Sequence, residues 1–451
     1  MDSDLVVLGG GITGLSLADA AGRAGRRVAV LEAQPAYGGL LRTVSLGGHL
    51  FDTGPHGIYS HDPEVLAWFQ RLLGDDLRPI DRHSYTLFRG KRVVYPLTVS
   101  GALRAVTLGE AARIAWEAGV LRSLHGPPRP AVTFEEWAIR SFGRTLYRLF
   151  FERYTEKVWG LPCRELSAAW ISAHLPANSL LQVLYDRLQR RDLPIGFTRR
   201  FYYSARGSGQ LVDRLVERLE RQPGVLLASS VRVRRIRRSS GAWRVTAGDD
   251  GRRSEWSAPE LVSTIPPGTL LQLMDPEPPA DVLAEARGLR FRNLILVLLV
   301  VDAPRLSDAN WVYVPDPSVS VARISEFKNM IASMRDRPDT SVEMEFFCWP
   351  DDARWRETDE TLAARAREDA ECLGLFRSGQ VKEWKVVRVP NAYPLFDLQY
   401  EERMRRIHEY LRGLGGLHLL GRTGGFLYLD QAGCTKQAFA WAHDHLGLAA
   451  S

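Results

Sequence analysis

The first strong pattern is a continuous apolar run, Leu5-Val6-Val7-Leu8, passing directly into Gly9-Gly10-Gly11-Ile12-Thr13-Gly14 and then into an Ala- and Leu-rich stretch of helical period. A second apolar run, Val28-Ala29-Val30-Leu31, follows and ends at Glu32. Short apolar runs around a helical stretch predict a β-α-β unit. Beyond it lie a loop-rich stretch and two short strands, 85–88 and 92–95, flanking the Arg89-Gly90-Lys91 turn and closed by Pro96. Residues 97–195 carry helical periodicity interrupted at Gly126-Pro127-Pro128, and Thr133 with Glu136 predicts a capping box for the helix entering Trp137. Residues 200–265 return to α/β, with a turn at Gly207 to Gly209, a helix over 211–219 and strands over 231–236 and 261–265. Residues 285–400 are strand-rich, most clearly at 294–301, 311–314 and 342–347, before a final strand at 418–421, a loop, and a helix from about Gly433.

This alternation predicts an α/β protein with a discontinuous Rossmann-type domain built from 1–95, 200–265 and 405–451. A helical cap region, 97–195, and a mixed β-sheet substrate domain, 266–404, are inserted between its pieces. A chain of 451 residues accommodates two intertwined domains, or three if the insertions count separately.

Composition narrows the partners. With 45% hydrophobic and 25% charged residues the chain has the make-up of a globular protein and not of a disordered one. The net charge of +6 comes from arginines interspersed with acids, a mildly basic surface without the clustered footprint that nucleic acid requires. Cys163, Cys348, Cys372 and Cys434 are far apart and form no C-x-x-C or metal-spaced pair, so no metal is expected and a reducing cytoplasm is. The apolar strand begins too early to leave room for a signal peptide, and the longest apolar run, 294–301, is too short to span a membrane. The expected partner is a small-molecule substrate, with no integral membrane segment and no assigned oligomeric state.

In the glycine turn each residue has a task. Gly9 makes the tight turn, Gly11 lets the backbone approach a pyrophosphate, and Gly14 packs the helix on the strand. The helix N-terminus presents oriented N–H groups to the phosphates, and Glu32 accepts hydrogen bonds from ribose hydroxyls, which disfavours a 2′-phosphate. The turn alone leaves FAD and NAD open.

The continuation Tyr37-Gly38-Gly39-Leu40-Leu41-Arg42-Thr43 is similar to the FAD-binding start of the amine oxidase, protoporphyrinogen oxidase and phytoene desaturase superfamily. Within it the chain looks nearest to the UDP-galactopyranose mutases and their bacterial oxidoreductase-like relatives. Phe51-Asp52-Thr53-Gly54-Pro55-His56 resembles the flavin-facing loop of that group, and Tyr154-Thr155-Glu156-Lys157-Val158-Trp159-Gly160 its internal motif. Arg323 to Lys328, Ala392-Tyr393-Pro394, and Gly421-Arg422 with Tyr428 and Asp430 extend the resemblance along nearly the whole chain. It implies FAD as cofactor, with Gly39, Arg42 and Gly421 among its contacts. It also implies a backbone contact from Val233 to the adenine, although an ordinary strand valine fits equally. The helix after Asp430 would aim its N-terminus at the flavin pyrimidine ring, with Asp430 capping the helix or touching the cofactor.

No metal set, nucleophile elbow or triad is visible, so the flavin is the expected reactive centre. His56 is the first choice for a general base, with Arg323 and Tyr428 as its catalytic companions. Trp159, Lys328, Tyr393 and Arg422 are candidate substrate contacts; a core tryptophan and surface ion pairs are the plainer alternatives. The chain departs from the mutases in having Tyr59 where they carry a second histidine, and no arginine in Ile171-Ser172-Ala173-His174-Leu175-Pro176. Their C-terminal aromatic and arginine richness is reduced to Phe426-Leu427-Tyr428-Leu429, and Gly207-Ser208-Gly209-Gln210-Leu211 points to the oxidase and desaturase side. The favoured expectation is an FAD-dependent oxidoreductase in which flavin N5 accepts a hydride from a polar, sugar-like or sugar-nucleotide substrate. The alternatives are a non-redox sugar isomerase of the mutase kind, a non-catalytic flavin-binding protein, and a protoporphyrinogen oxidase-like enzyme whose amphipathic residues 100–124 touch a membrane.

Overall fold

The computed structural model describes residues 1–95, 101, 105–123, 131–172, 199–248 and 254–447. Five parallel strands form its nucleotide-binding sheet in the order Leu417–Leu419, Glu260–Ser263, Leu5–Leu8, Val28–Leu31, Val225–Ala228. Three sequence-distant segments thus supply one sheet, as the alternation of patterns predicted. The strands Leu5–Leu8 and Val28–Leu31 are buried at every position because both faces are covered. Leu5, Val7, Val28 and Val30 join the core beneath the helices Ile12–Arg23, Pro63–Leu73, Gly209–Glu220 and Gln431–Leu446. Val6, Leu8, Ala29 and Leu31 face the main core, shared with the antiparallel sheet Val233–Ser239, Ala242–Ala247, Ser254–Ala258.

A seven-stranded sheet carries the other half of the molecule, in the order Val381–Pro394, Phe291–Val301, Thr340–Cys348, Arg323–Glu326, Trp311–Tyr313, Ser84–Phe88, Lys91–Tyr95. The last two strands correct the expected boundary at residue 95. Ser84–Phe88 pairs in parallel with Trp311–Tyr313, and Lys91–Tyr95 pairs with Ser84–Phe88, so 84–95 belongs with the inserted sheet and not with the nucleotide-binding domain. Only pairing decides this, since a short alternating strand fits either sheet. The central strand Phe291–Val301 is buried at all 11 positions because Leu294, Leu296 and Leu298 face the main core while Ile295, Val297 and Leu299 face the core under the helix Asp359–Cys372.

Between the two sheets the described chain is helical, including Leu108–Ser123, Phe134–Phe142 and Glu152–Trp159. The Thr133 half of the predicted box forms, its Oγ1 accepting from the Glu136 amide at 3.1 Å, while the Glu136 carboxylate accepts from the amide of Val132, one residue before the cap, at 3.1 Å. The Gly126-Pro127-Pro128 break and the segment 173–198 lie outside the described residues. Among the described residues no helix is long and apolar enough to cross a membrane, and no three His, Cys, Asp or Glu side chains gather to hold a metal.

Candidate functional site

The glycine turn makes a cradle whose glycines do different work. Gly9 adopts φ +100°, and a Cβ there would lie 2.4 Å from Thr264 Oγ1. A Cβ on Gly14 would stand 2.1 Å from the Gly9 carbonyl oxygen, so only hydrogen lets the helix close on the strand. Gly11 is different: its backbone is extended (φ −77°, ψ 178°), and a Cβ would meet nothing closer than the Gly38 oxygen at 3.9 Å. The protein's own packing tolerates a side chain at Gly11. Gly39, at φ +59°, faces Gly11 from the opposite side, and Gly38 N–H donates to the Gly10 carbonyl at 2.8 Å. The helix Ile12–Arg23 begins here with no side-chain cap and no acid in its first turn. Its leading N–H groups and positive dipole end therefore open onto a space free of side chains, which fits the two phosphates of a dinucleotide.

Glu32 accepts from Gly10 N–H and Gln34 N–H, each at 2.8 Å, so both oxygens are oriented by backbone while keeping lone pairs for hydroxyl donors. Its own carbonyl accepts from Val231 N–H at 2.8 Å, which brings the start of the Val233 strand beside it. Val233 itself is half-buried and pairs with Ala247. Arg42 has a buried Nε without a partner, a second donor fitted to an anion near the turn. Gly421, at φ +80°, packs on Thr13 in the first turn of the cradle helix, where a Cβ would be 2.5 Å from Thr13 Oγ1. Asp430 takes the capping role: its Oδ1 accepts from Gly433 N–H at 2.7 Å and starts the helix Gln431–Leu446.

From the cradle the chain runs through the hairpin Thr43–Leu46, His49–Asp52 into the loop that carries His56. Asp52 is 1% exposed and holds this loop to the rest of the molecule, accepting from Thr43 Oγ1 at 2.5 Å, Ser208 N–H at 2.9 Å, and the Tyr203 hydroxyl. The His56 amide reaches the same Tyr203 oxygen at 3.4 Å, and its carbonyl accepts from Gln431 Nε2 at 2.8 Å. The imidazole Nε2 lies 3.2 Å from the Thr53 carbonyl. Burial, reinforced by the charges of Arg323 and Arg422, lowers its pKa to about 4, so His56 is neutral over the physiological range.

Arg323 donates from Nε to Glu345 at 2.5 Å and from Nη2 to the Tyr393 hydroxyl at 3.5 Å. Arg422 is sandwiched between two of the predicted contacts, its guanidinium carbon 4.6 Å from the Tyr393 ring centre and 5.1 Å from that of Tyr428. It also donates to the Ala392 carbonyl at 3.3 Å and the Leu429 carbonyl at 3.1 Å, so it clamps the two tyrosines in place. Burial, then Tyr393, pushes the Tyr428 phenol up to about 12, and it remains a proton donor. His56, Arg323, Tyr393, Arg422 and Tyr428 all retain partial exposure although protein surrounds them, as side chains lining a concavity do.

Two expected substrate contacts are placed otherwise. Lys328 spends its ammonium on the carbonyls of Pro304 at 2.8 Å, Asp339 at 3.2 Å and Arg337, and so ties loops together. Trp159 is 5% exposed and packs against Tyr393, Phe396 and Tyr428 with ring centres 6.1, 5.8 and 6.2 Å away. The apolar side of its helix turns it into the core, where it backs the tyrosines. Sequence reasoning passed over Arg82, Tyr95 and Tyr313, which extend the aromatic wall: Tyr95 and Tyr313 lie 4.8 Å apart, Tyr154 and Tyr313 5.2 Å, and Arg82 is 5.4 Å from the Tyr95 ring. No local sequence signal marked them, since Tyr313 sits among Trp311, Val312 and Val314 and Tyr95 follows Val93 and Val94.

The family model described as "Flavin containing amine oxidoreductase" matches residues 12–423. Among solved structures the fold is similar to reduced UDP-galactopyranose mutase, at TM-score 0.82 and 21% identity over 100% of this chain and 96% of that one. It is similar to a putative protoporphyrinogen oxidase from Exiguobacterium sp. 255-15, at TM-score 0.78 and 20% identity over 98% of each chain. Putrescine oxidase bound to putrescine is similar at TM-score 0.66 and 18% identity, over 99% of this chain and 100% of that one.

Proposed function

Given that this chain belongs to the flavin-containing amine oxidoreductase family and has FAD as its cofactor, we propose that it oxidises a polar, sugar-like or sugar-nucleotide substrate held among His56, Arg323, Tyr393 and Tyr428. Gly9, Gly11, Gly14, Glu32, Gly39 and Arg42 would hold the dinucleotide, with Val233 and Gly421 at its borders. When bound, the flavin would supply the acceptor for a hydride, that is, two electrons and one proton. The observation that carries the reading is a neutral imidazole beside two guanidinium groups and two phenols, all partly open to solvent. A neutral His56 has a lone pair with which to take a proton from a substrate hydroxyl or ammonium. Where the proton comes from a hydroxyl, Arg323 stabilises the negative charge that its loss creates. The Tyr428 and Tyr393 hydroxyls orient the substrate, and Arg422 keeps those rings in register.

Two observations weigh against the mutase alternative. Trp159 offers no free face for a base to stack on, and Ile171 to Pro176 lacks an arginine for a diphosphate. A charge-assisted contact of that kind contributes about 1.5–3 kcal/mol, so its loss is roughly ten- to a hundredfold in affinity. The test is anaerobic. Polar alcohols, amines and sugar nucleotides are mixed with the oxidised protein and its visible absorbance is followed; bleaching by one of them is expected. Efficient ring contraction of UDP-galactopyranose by the reduced protein, with no bleaching of the oxidised form, would overturn the proposal.

A further inference from the structure

Arg292 is a charged side chain that neither the cofactor cradle nor the proposed chemistry uses. It is 4% exposed, and among the described residues it has no ion pair, unlike Arg290, paired with Asp397, and Arg323, paired with Glu345. A guanidinium taken out of water without a carboxylate is costly unless dipoles replace its solvent. Two such groups meet it. Its Nε donates to the Val158 carbonyl at 3.1 Å, among the last carbonyls of the helix Glu152–Trp159, which the helix itself leaves unpaired and whose dipole favours a cation. Its guanidinium carbon stands 4.4 Å from the ring centre of Trp349, the residue that follows the strand Thr340–Cys348.

The same placement closes Arg292 to ligands. Gly160 ends the helix at φ +71°, and a Cβ there would lie 2.6 Å from Arg292 Nη1 and 3.0 Å from Trp349 Nε1. The chain therefore passes directly over the guanidinium, which leaves Nη1 buried without a partner and out of reach of substrate. An apolar side chain would fill this place without that unpaired donor, so what distinguishes the guanidinium is the contact it makes. Val158 precedes Trp159, whose ring packs on Tyr393 and Tyr428. Arg292 itself stands in register opposite Tyr393 across the paired strands Phe291–Val301 and Val381–Pro394. One hydrogen bond thus ties the helix end that carries Trp159 to the strands that carry Tyr393.

We propose that Arg292 is a positioning residue for the substrate wall: its bond to Val158 and its stack on Trp349 fix the depth of Trp159, and Trp159 sets where the phenols of Tyr393 and Tyr428 stand. Arg422 and Trp159 both bear on these two rings, and Arg292 governs the second of them. The inference rests on the proposed function only in taking Tyr393 and Tyr428 as substrate contacts. The placement of the rings is measured without substrate, so a failure to find one would sink that function and leave this result standing.

The test is the fluorine NMR resonance of FAD-loaded protein carrying a ring-fluorinated tyrosine at position 428, recorded beside thermal melting. Arg292→Met keeps the unbranched stem against Trp349 and loses the charge and the donor, so it should displace or split the resonance. Arg292→Lys, which keeps a cation and a donor for the Val158 carbonyl, should return it most of the way. Gly160→Ala pushes on the guanidinium from the other side and should move the resonance with Arg292 intact, which decides the matter if Arg292→Met does not fold. Arg388→Met is the control for general loosening: Arg388 serves the Trp355 carbonyl and Asp359 on the opposite face of the sheet, so its loss should lower the melting temperature and leave the resonance in place. A resonance unmoved in folded Arg292→Met and Gly160→Ala, or moved as far by Arg388→Met, would make Arg292 a stability residue only and overturn the proposal. No recovery in Arg292→Lys, or no folded FAD-loaded protein from either Arg292→Met or Gly160→Ala, would overturn it as well.

Discussion

Substitution of two glycines three residues apart in the same turn separates the cofactor from the fold. At Gly11 the extended backbone is open to any residue and a methyl group would find its nearest neighbour 3.9 Å away. Gly11→Ala loses up to about 1 kcal/mol of N-cap preference and regains about 0.4–1 kcal/mol from a less flexible unfolded chain, for a net change near zero. At Gly14 the same methyl group would stand 2.1 Å from the Gly9 carbonyl oxygen, a backbone atom that cannot swing aside. Gly14→Ala should cost about 1–3 kcal/mol in the apoprotein, since strand and helix must part to admit it. Bound FAD at a hundredfold over its Kd adds about 2.7 kcal/mol to the native state. Flavin-stripped wild type and Gly11→Ala should then melt within about 2 °C of each other, while added FAD raises only the wild type, by about 3 °C. Gly14→Ala should melt low in both states. The assay is circular-dichroism melting of stripped and reconstituted protein, with bound flavin read from visible absorbance. Stoichiometric FAD in Gly11→Ala would refute the placement of the phosphates over this glycine. A large loss of stability in its apoprotein would refute the packing argument.

Two further outcomes follow from the opposite side of the site. Arg422→Ala should retain FAD but lower kcat more than Tyr428→Phe does, because Arg422 positions both Tyr393 and Tyr428 by stacking and by its bonds to Ala392 and Leu429; stopped-flow flavin reduction measures it, and a change confined to KM would instead make Arg422 a direct grip on substrate. His56, with its pKa lowered to about 4, should add no inflection to the kcat/KM profile between about pH 5 and pH 8. The linkage sign is that of a depressed pKa: stability is intact above the ordinary histidine value of about 6.5 and is lost, by up to about 3 kcal/mol, as pH falls toward 4. His56→Asn should flatten that acid loss in melting experiments, and an inflection near pH 6.5 that vanishes in His56→Asn would contradict the burial argument.

The parts of this protein written locally were legible in its residues. A strand, a glycine turn and a helix N-terminus lie within the first 23 residues, and although the contact of Gly9 with Thr264 and that of Gly11 with Gly38 and Gly39 need the fold, the close approach of Gly14 to the Gly9 carbonyl follows from short-range sterics. Thr133 and Glu136 announced their cap for the same reason. The tertiary structure alone decided the rest. Residues 84–95 changed sheets because their register partner lies more than two hundred residues away, at Trp311–Tyr313. Lys328 looked like a cation for substrate, yet carbonyls at 304, 337 and 339 converge on it. Arg422 stacks between Tyr393 and Tyr428, a placement that its neighbours in the chain do not announce. Backbone conformation depends on neighbours along the chain and can be read from them, whereas the charge state and role of a side chain depend on which distant dipoles and charges folding brings within a few ångströms of it.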